Sequence, residues 1–139
     1  MKGRLLYSPK LLNRLFHDEF RKRGWKELRS AYTIEFENRP RIEAYKQINF
    51  VKQKVLAEVQ LGKYAFMFYD MAKFQYFYNE GKAELGIEIV PCHTLHKEMS
   101  TGVSYGEQLV YDIERLRRTF PAVPVRVILI DVERQALYA

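Results

Sequence analysis

Asn49-Phe50-Val51-Lys52-Gln53-Lys54-Val55-Leu56-Ala57-Glu58-Val59-Gln60 reads as the end of one strand, a tight polar turn and a returning strand. Side chains alternate between the faces of a strand, so Glu58 and Gln60 point the same way, about 7 Å apart at a rise of about 3.3 Å per residue. Val55, Ala57 and Val59 point the other way, into packed core. A carboxylate on so apolar a strand is poorly hydrated. Such a charge persists when it pairs or holds a metal.

Working outward, the chain supplies elements on both sides of this hairpin. Upstream, Ser8 reads as an N-cap with Pro9 at the first helical position. Leu11, Leu12, Leu15, Phe16 and Phe20 then recur at helical spacing to about Arg23, and Gly24 supplies the stop. Residues 32–37 alternate apolar and charged, which predicts a half-exposed strand. Asn38-Arg39-Pro40 is turn chemistry. The next strand runs from Arg41 to Phe50, with Ile42, Ala44, Ile48 and Phe50 expected on one face.

Downstream, Tyr64 to Asn79 predicts a helix closed by Gly81, apolar nearly all round and therefore buried. Its aromatics can be read as a base-stacking platform, but stacking platforms lie on exposed sheets and loops, so core packing is the better reading. Leu85 to Val90 is a short strand, expected to run parallel to residues 54–61 because a helix crosses between them. Periodicity is lost from Pro91 to Val103, a helix is expected from about Ser104 to Arg118, and Val125 to Asp131 is a strand rich in β-branched residues. The order is helix, three strands, helix, strand, helix, strand. That is an α/β arrangement on a mixed sheet, in a single domain over residues 1–139.

Composition narrows the classes further. A chain of 139 residues with 47% hydrophobic and 14% aromatic content buries a core without staples. Cys92 is its one cysteine, which excludes an internal disulfide framework and a cysteine-based zinc cluster; no nucleophile signature surrounds it. There is no charged-then-apolar leader and no apolar run of membrane-spanning length, so a cytoplasmic, reducing compartment is expected. The net charge of +6 suits a phosphate-bearing partner without identifying one. The positive residues cluster at Arg21-Lys22-Arg23, at Lys52 and Lys54, and at Arg115, Arg117 and Arg118.

Glu58-Val59-Gln60 resembles the acid-x-lysine half of the PD-(D/E)xK nuclease signature, with Gln in place of Lys. That Glu-x-Gln form is similar to the BglII restriction endonuclease family, which also has an acid nine residues before the Glu. Here that position is Asn49, within Gln47-Ile48-Asn49-Phe50. The likeness continues through Gly62-Lys63-Tyr64, Tyr105-Gly106-Glu107-Gln108 and Val123-Pro124-Val125-Arg126, covering residues 13–132 or so.

The resemblance implies a three-layer restriction-endonuclease-like fold with an αβββαβ core, and Mg²⁺-dependent hydrolysis of phosphodiester bonds in double-stranded DNA, with Mn²⁺ as a substitute. It implies Glu58, Asn49 and the Val59 carbonyl as metal ligands and Gln60 as the group that positions water. Asn49 brings no charge to a hard cation. Either the chain binds DNA and cuts poorly or not at all, or another acid substitutes. Glu43 lies about 20 Å along the strand, too far to help; Glu19 on the first helix is the candidate.

The resemblance also implies a homodimer, since cutting both strands of a palindrome needs two sites about a two-fold axis. It places contacts to bases and phosphates in Met99 to Tyr105, with Ser100, Thr101 and Ser104 as the donors, while Ser104 and Glu107 also form a capping-box pattern. Lys52, Lys54 and Lys63 flank the site and suit phosphates. His93 and His96 have a zinc-like spacing but no evident third ligand, and read as polar loop residues. A non-catalytic DNA-binding protein on the same fold is the second reading. A basic protein with a protein partner is the third.

Overall fold

A computed structural model describes residues 7–134. Its elements are α1 (Pro9–Lys22), β1 (Lys26–Ile34), β2 (Ile42–Lys52), β3 (Val55–Val59), α2 (Tyr64–Asn79), β4 (Leu85–Pro91), α3 (His93–His96), α4 (Gly106–Leu116) and β5 (Val125–Ile130). The five strands form one sheet in the order β1-β2-β3-β4-β5. The first three are antiparallel neighbours, whereas β3–β4 and β4–β5 are parallel, each crossing over through a helix. The three-layer α/β reading therefore holds. The one addition is α3, a single turn where the sequence predicts a loop.

Local chemistry sets the boundaries. Ser8 Oγ accepts the Leu11 amide at 3.2 Å, Pro9 opens α1, and Gly24 at φ 87° ends it. The β1 expectation needs correcting. The strand runs over Lys26–Ile34 rather than 32–37, because Pro40 has no amide to offer a ladder and Asn38 turns at φ 62°. Phe36 is left 68% exposed beyond the last pair, Ile34 with Ile42. Ile42 itself is exposed.

A second correction bears on the site. Leu28 pairs with Ile48 but Lys26 pairs with Val51, so two steps along β1 meet three along β2. The extra residue is a β-bulge around Asn49-Phe50, and it reverses the alternation there. Ile48 joins the core under α2 with Met67, Met71 and Phe74. Phe50, expected on the same face, turns to the other side and stacks on Phe20 of α1 at 4.3 Å between ring centroids.

The main core lies between the sheet and the pair α2–α4, built on Ile48, Leu56, Phe74, Phe77, Val90 and Leu109. Two glycines let the helices close down. A Cβ at Gly86 would sit 2.4 Å from the Phe74 ring, and one at Gly106 would sit 2.2 Å from Val90. Tyr64 of α2 also donates its hydroxyl to Asp112 of α4. Although α2 is largely buried, its outer face leaves Phe66 and Tyr69 exposed.

Candidate active site

The site begins at the turn between β2 and β3. Gln53 and Lys54 form a two-residue hairpin loop with φ of 50° and 64°, the mirror-image turn whose twist matches paired strands. It brings β3 back beside β2 in the register Phe50–Ala57, Val51–Leu56, Lys52–Val55. Asn49 consequently lies beside Glu58 on the side of the sheet that faces α2.

The contact between them is close. Glu58 is 3% exposed. Its Oε1 accepts the Asn49 backbone amide at 2.6 Å, and its Oε2 accepts the Asn49 side-chain Nδ2 at 3.2 Å. Asn49 Oδ1 in turn accepts from Gln47 Nε2 at 3.4 Å, and its backbone carbonyl accepts from Arg21 of α1 at 3.2 Å. Burial pushes the Glu58 carboxyl up to about 7, with the Lys73 ammonium pulling it down and Asp70 adding to the rise.

Three residues that the sequence reading passed over complete the neighbourhood. Asp70 and Lys73, on the inner face of α2, and Glu88, at the β4 position paired with Glu58, all face the same interior. Lys73 Nζ lies 3.3 Å from Asp70 Oδ1 and 3.9 Å from Glu58 Oε1, and donates to the Gln47 carbonyl at 3.1 Å. Gln60 Nε2 donates to Asp70 Oδ2 at 3.0 Å. Glu88 is fully buried, and neither of its oxygens has a donor to accept from. Burial, then the Asp70 charge, holds its carboxyl well above the ordinary range, so it keeps its proton. A sequence signal existed for two of the three. Asp70 and Lys73 are the only charged residues in α2, set three apart and so on one helical face.

The other expected residues fall in several places. Glu19 lies on the α1 side of the sheet, paired with Lys22 at 3.5 Å and Arg23 at 3.3 Å, and is not brought to Glu58. Glu43 pairs with Thr33 ahead of the bulge, well away from Asn49 along β2. Lys52 donates to the Arg23 carbonyl at 2.6 Å, tying the hairpin to the end of α1. Lys54 is in the turn, and Lys63 caps α2. Ser100 and Thr101 line an open hollow of about 250 Å³ with His96, Lys97 and Val103.

Ser104 does not form the expected capping box. Tyr105 occupies the N-cap position of α4, and Glu107 instead accepts the His93 amide at 2.9 and 3.1 Å, closing the start of α3. His93 and His96 pack against Tyr105, with ring centroids 4.7 Å away in each case. Among the described residues no three His, Cys, Asp or Glu side chains converge as a ready-made metal cage.

A mixed sheet crossed by helices, with an acid and an amide brought together where two strands meet, defines a class: the α/β folds of restriction-endonuclease type. The crystal structure of restriction endonuclease BglII complexed with a DNA 16-mer matches with a TM-score of 0.71 and 23% identity, over 95% of this chain and 60% of that one. Free BglII matches with a TM-score of 0.64 and 20% identity, over 94% of this chain and 62% of that one. At these identities the likeness speaks for the fold. The family model for restriction endonuclease BglII/BglIII matches residues 2–130, and the chain belongs to that family. No curated protein sequence matches. The chain spans about 60% of the length of the BglII structures it resembles. Among the described residues no helix is long and apolar enough to cross a membrane.

The family implies a divalent cation, and the donor set can be tested for it. Glu58, the Asn49 amide oxygen and the Val59 carbonyl are hard oxygen donors of the kind Mg²⁺ takes alongside substrate phosphates. The balance of charge fits as well, since Glu58 and Asp70 share the single ammonium of Lys73 among the described residues, while Glu88 keeps its proton. The set fits a hard cation once the Asn49 amide turns over, since Nδ2 rather than Oδ1 faces Glu58, and it brings one negative charge fewer than two carboxylates would.

Proposed function

We propose that this chain is a type II restriction-like endonuclease domain acting on the phosphodiester bonds of double-stranded DNA, its cutting impaired by Asn49. The observation that carries the proposal is the Asn49–Glu58 contact at the bulge, with Gln60 directly after β3. Mg²⁺, with Mn²⁺ as a substitute, is the cation held by Glu58, Asn49 and the Val59 carbonyl. When bound, it supplies charge for the phosphate oxygens and acidifies a water.

The chain's own residues do the rest. Glu58 brings the negative charge that fixes the site. Gln60 orients water through hydrogen bonds and lends no positive charge. Lys52, Lys54 and Lys63 meet phosphates around the hairpin and the start of α2, while Ser100, Thr101 and Ser104 meet DNA from the loop ahead of α4. A homodimer in the cytoplasm, with one site per strand, completes the proposal.

The second reading, a DNA-binding protein that does not cut, is favoured by one specific feature. Both Glu58 oxygens are already satisfied by Asn49 donors. An Asp in place of Asn49 has no side-chain N–H to give, and it would leave two carboxylates facing each other until a cation joined them.

Plasmid cleavage with Mg²⁺ or Mn²⁺, unaltered chain beside Asn49→Asp, tests the proposal. The Asn49→Asp variant is expected to cut duplex DNA, and the unaltered chain to bind it with an affinity that falls steeply as salt rises. Binding without cutting by either protein favours the second reading. No binding at low salt points to a protein partner.

A further inference from the structure

Gln60 has two chemically opposite ends, an acceptor oxygen and a donor nitrogen, and which end faces the reaction decides what it can do for a water. An O–H accepted by the carbonyl oxygen leaves that water's lone pair free to attack. An N–H donated into the water engages the lone pair. Nothing in β3 itself chooses between the two.

The choice is made by α2. Asp70 is 2% exposed, and its carboxylate takes the Nε2 end of Gln60 at 3.0 Å. The Oε1 end is left turned toward Gly62, where it lies 3.0 Å from the place a Cβ would occupy. Lys73 sits 3.3 Å from the other Asp70 oxygen and holds its own place by donating to the Gln47 carbonyl. Both partners of the Asp70 carboxylate, Gln60 Nε2 and Lys73 Nζ, are donors, and turning the amide over would set its oxygen against Asp70 Oδ2.

We infer that Asp70, supported by Lys73, is a positioning residue of the same site: it orients the Gln60 amide so that its carbonyl oxygen, not its NH₂ group, meets the attacking water. The inference rests on the nuclease reading above and gives Gln60 a stated direction. Asp70 itself is buried and touches no reacting atom.

The experiment is single-turnover cleavage of a DNA duplex with Mn²⁺, carried out in the Asn49→Asp background, with duplex affinity and melting temperature measured alongside. An Asn in place of Asp70 can offer N–H to Gln60 Oε1 and so invite the reversed amide. Asp70→Asn is expected to slow cleavage about 10- to 100-fold, as loss of an orienting partner does, with duplex affinity unchanged within about twofold. The same substitution added to Gln60→Ala is expected to cost nothing further, because both act through one amide. Lys73→Arg is expected to keep the rate and Lys73→Gln to lose it.

Full cleavage by Asp70→Asn, or a loss that multiplies with that of Gln60→Ala, overturns the inference and leaves the nuclease reading standing. Absence of cleavage by the Asn49→Asp parent overturns the nuclease reading, and this inference with it. If Asp70→Asn does not fold, the Gln60 side-chain amide of the unaltered chain decides by NMR. One Nε2 proton slow to exchange supports the inference; two in rapid exchange overturn it.

Discussion

The two faces of the sheet treat the same residue type in opposite ways. On the α1 side, Glu19 is about half exposed and shares the solvent with Lys22 and Arg23. On the α2 side, Glu58, Asp70 and Glu88 are buried around one ammonium. An exposed ion pair contributes little and is easily replaced. A buried cluster of acids costs stability, and a fold keeps such a cost where chemistry uses it. The difference separates a helix that covers the sheet from one that also builds its site.

The largest effect expected from this contrast is at Lys73. Lys73→Met strands Asp70 and Glu58 without a cation and should cost about 3–5 kcal/mol at pH 8, measured by denaturant unfolding. The loss should shrink toward pH 5, where Glu58 takes up a proton. A cost below about 1 kcal/mol at pH 8 would mean that the cluster is wet and the contrast between faces is overstated.

Glu88 gives the next effect, with the opposite sign. Its folded carboxyl holds a proton far above the value of 4.5 at which the unfolded chain releases it. The folded state therefore binds more protons than the unfolded one above pH 4.5, and stability falls as pH rises through that window. Glu58 adds to the same slope between 4.5 and about 7. Glu88→Gln keeps the shape of the side chain and removes the linkage, so it should raise stability at pH 8 by about 1–3 kcal/mol and flatten the pH dependence. An unchanged slope would count against a protonated Glu88.

On the α1 side the expected changes are smaller. Ser8→Ala removes the cap on the Leu11 amide and should cost about 1 kcal/mol. Glu19→Gln should stay within about 0.5 kcal/mol and leave any cleavage by the Asn49→Asp chain untouched. A large loss of cleavage at Glu19 would put α1 into the site after all.

What could be read from the sequence follows from where the deciding forces are local. Ser8, Pro9 and Gly24 mark α1 by capping and backbone chemistry that acts within a few residues. Breakers bound α2, and the helix between β3 and β4 forces their parallel pairing. Glu58 and Gln60 were visible as polar residues on an apolar strand. The bulge at Asn49-Phe50 was not, because no glycine or proline marks it and it arises from pairing with β1. The same non-local cause moved the start of β1 and took Glu107 from the expected cap to the His93 amide. Asp70, Lys73 and Glu88 were passed over for another reason. Asp70 and Lys73 mark one face of α2 by their spacing, but Glu88 stands alone in an apolar run, and only the packing of α2 over the β3–β4 pair gathers all three.

The most direct measurement is a crystal structure of the Asn49→Asp chain soaked in Mn²⁺, read by anomalous scattering. An anomalous peak bridging the introduced aspartate, Glu58 and the Val59 carbonyl, on the α2 side of the hairpin, is the result expected. A peak only at His93 and His96, or none with the carboxylates still facing each other, would contradict it.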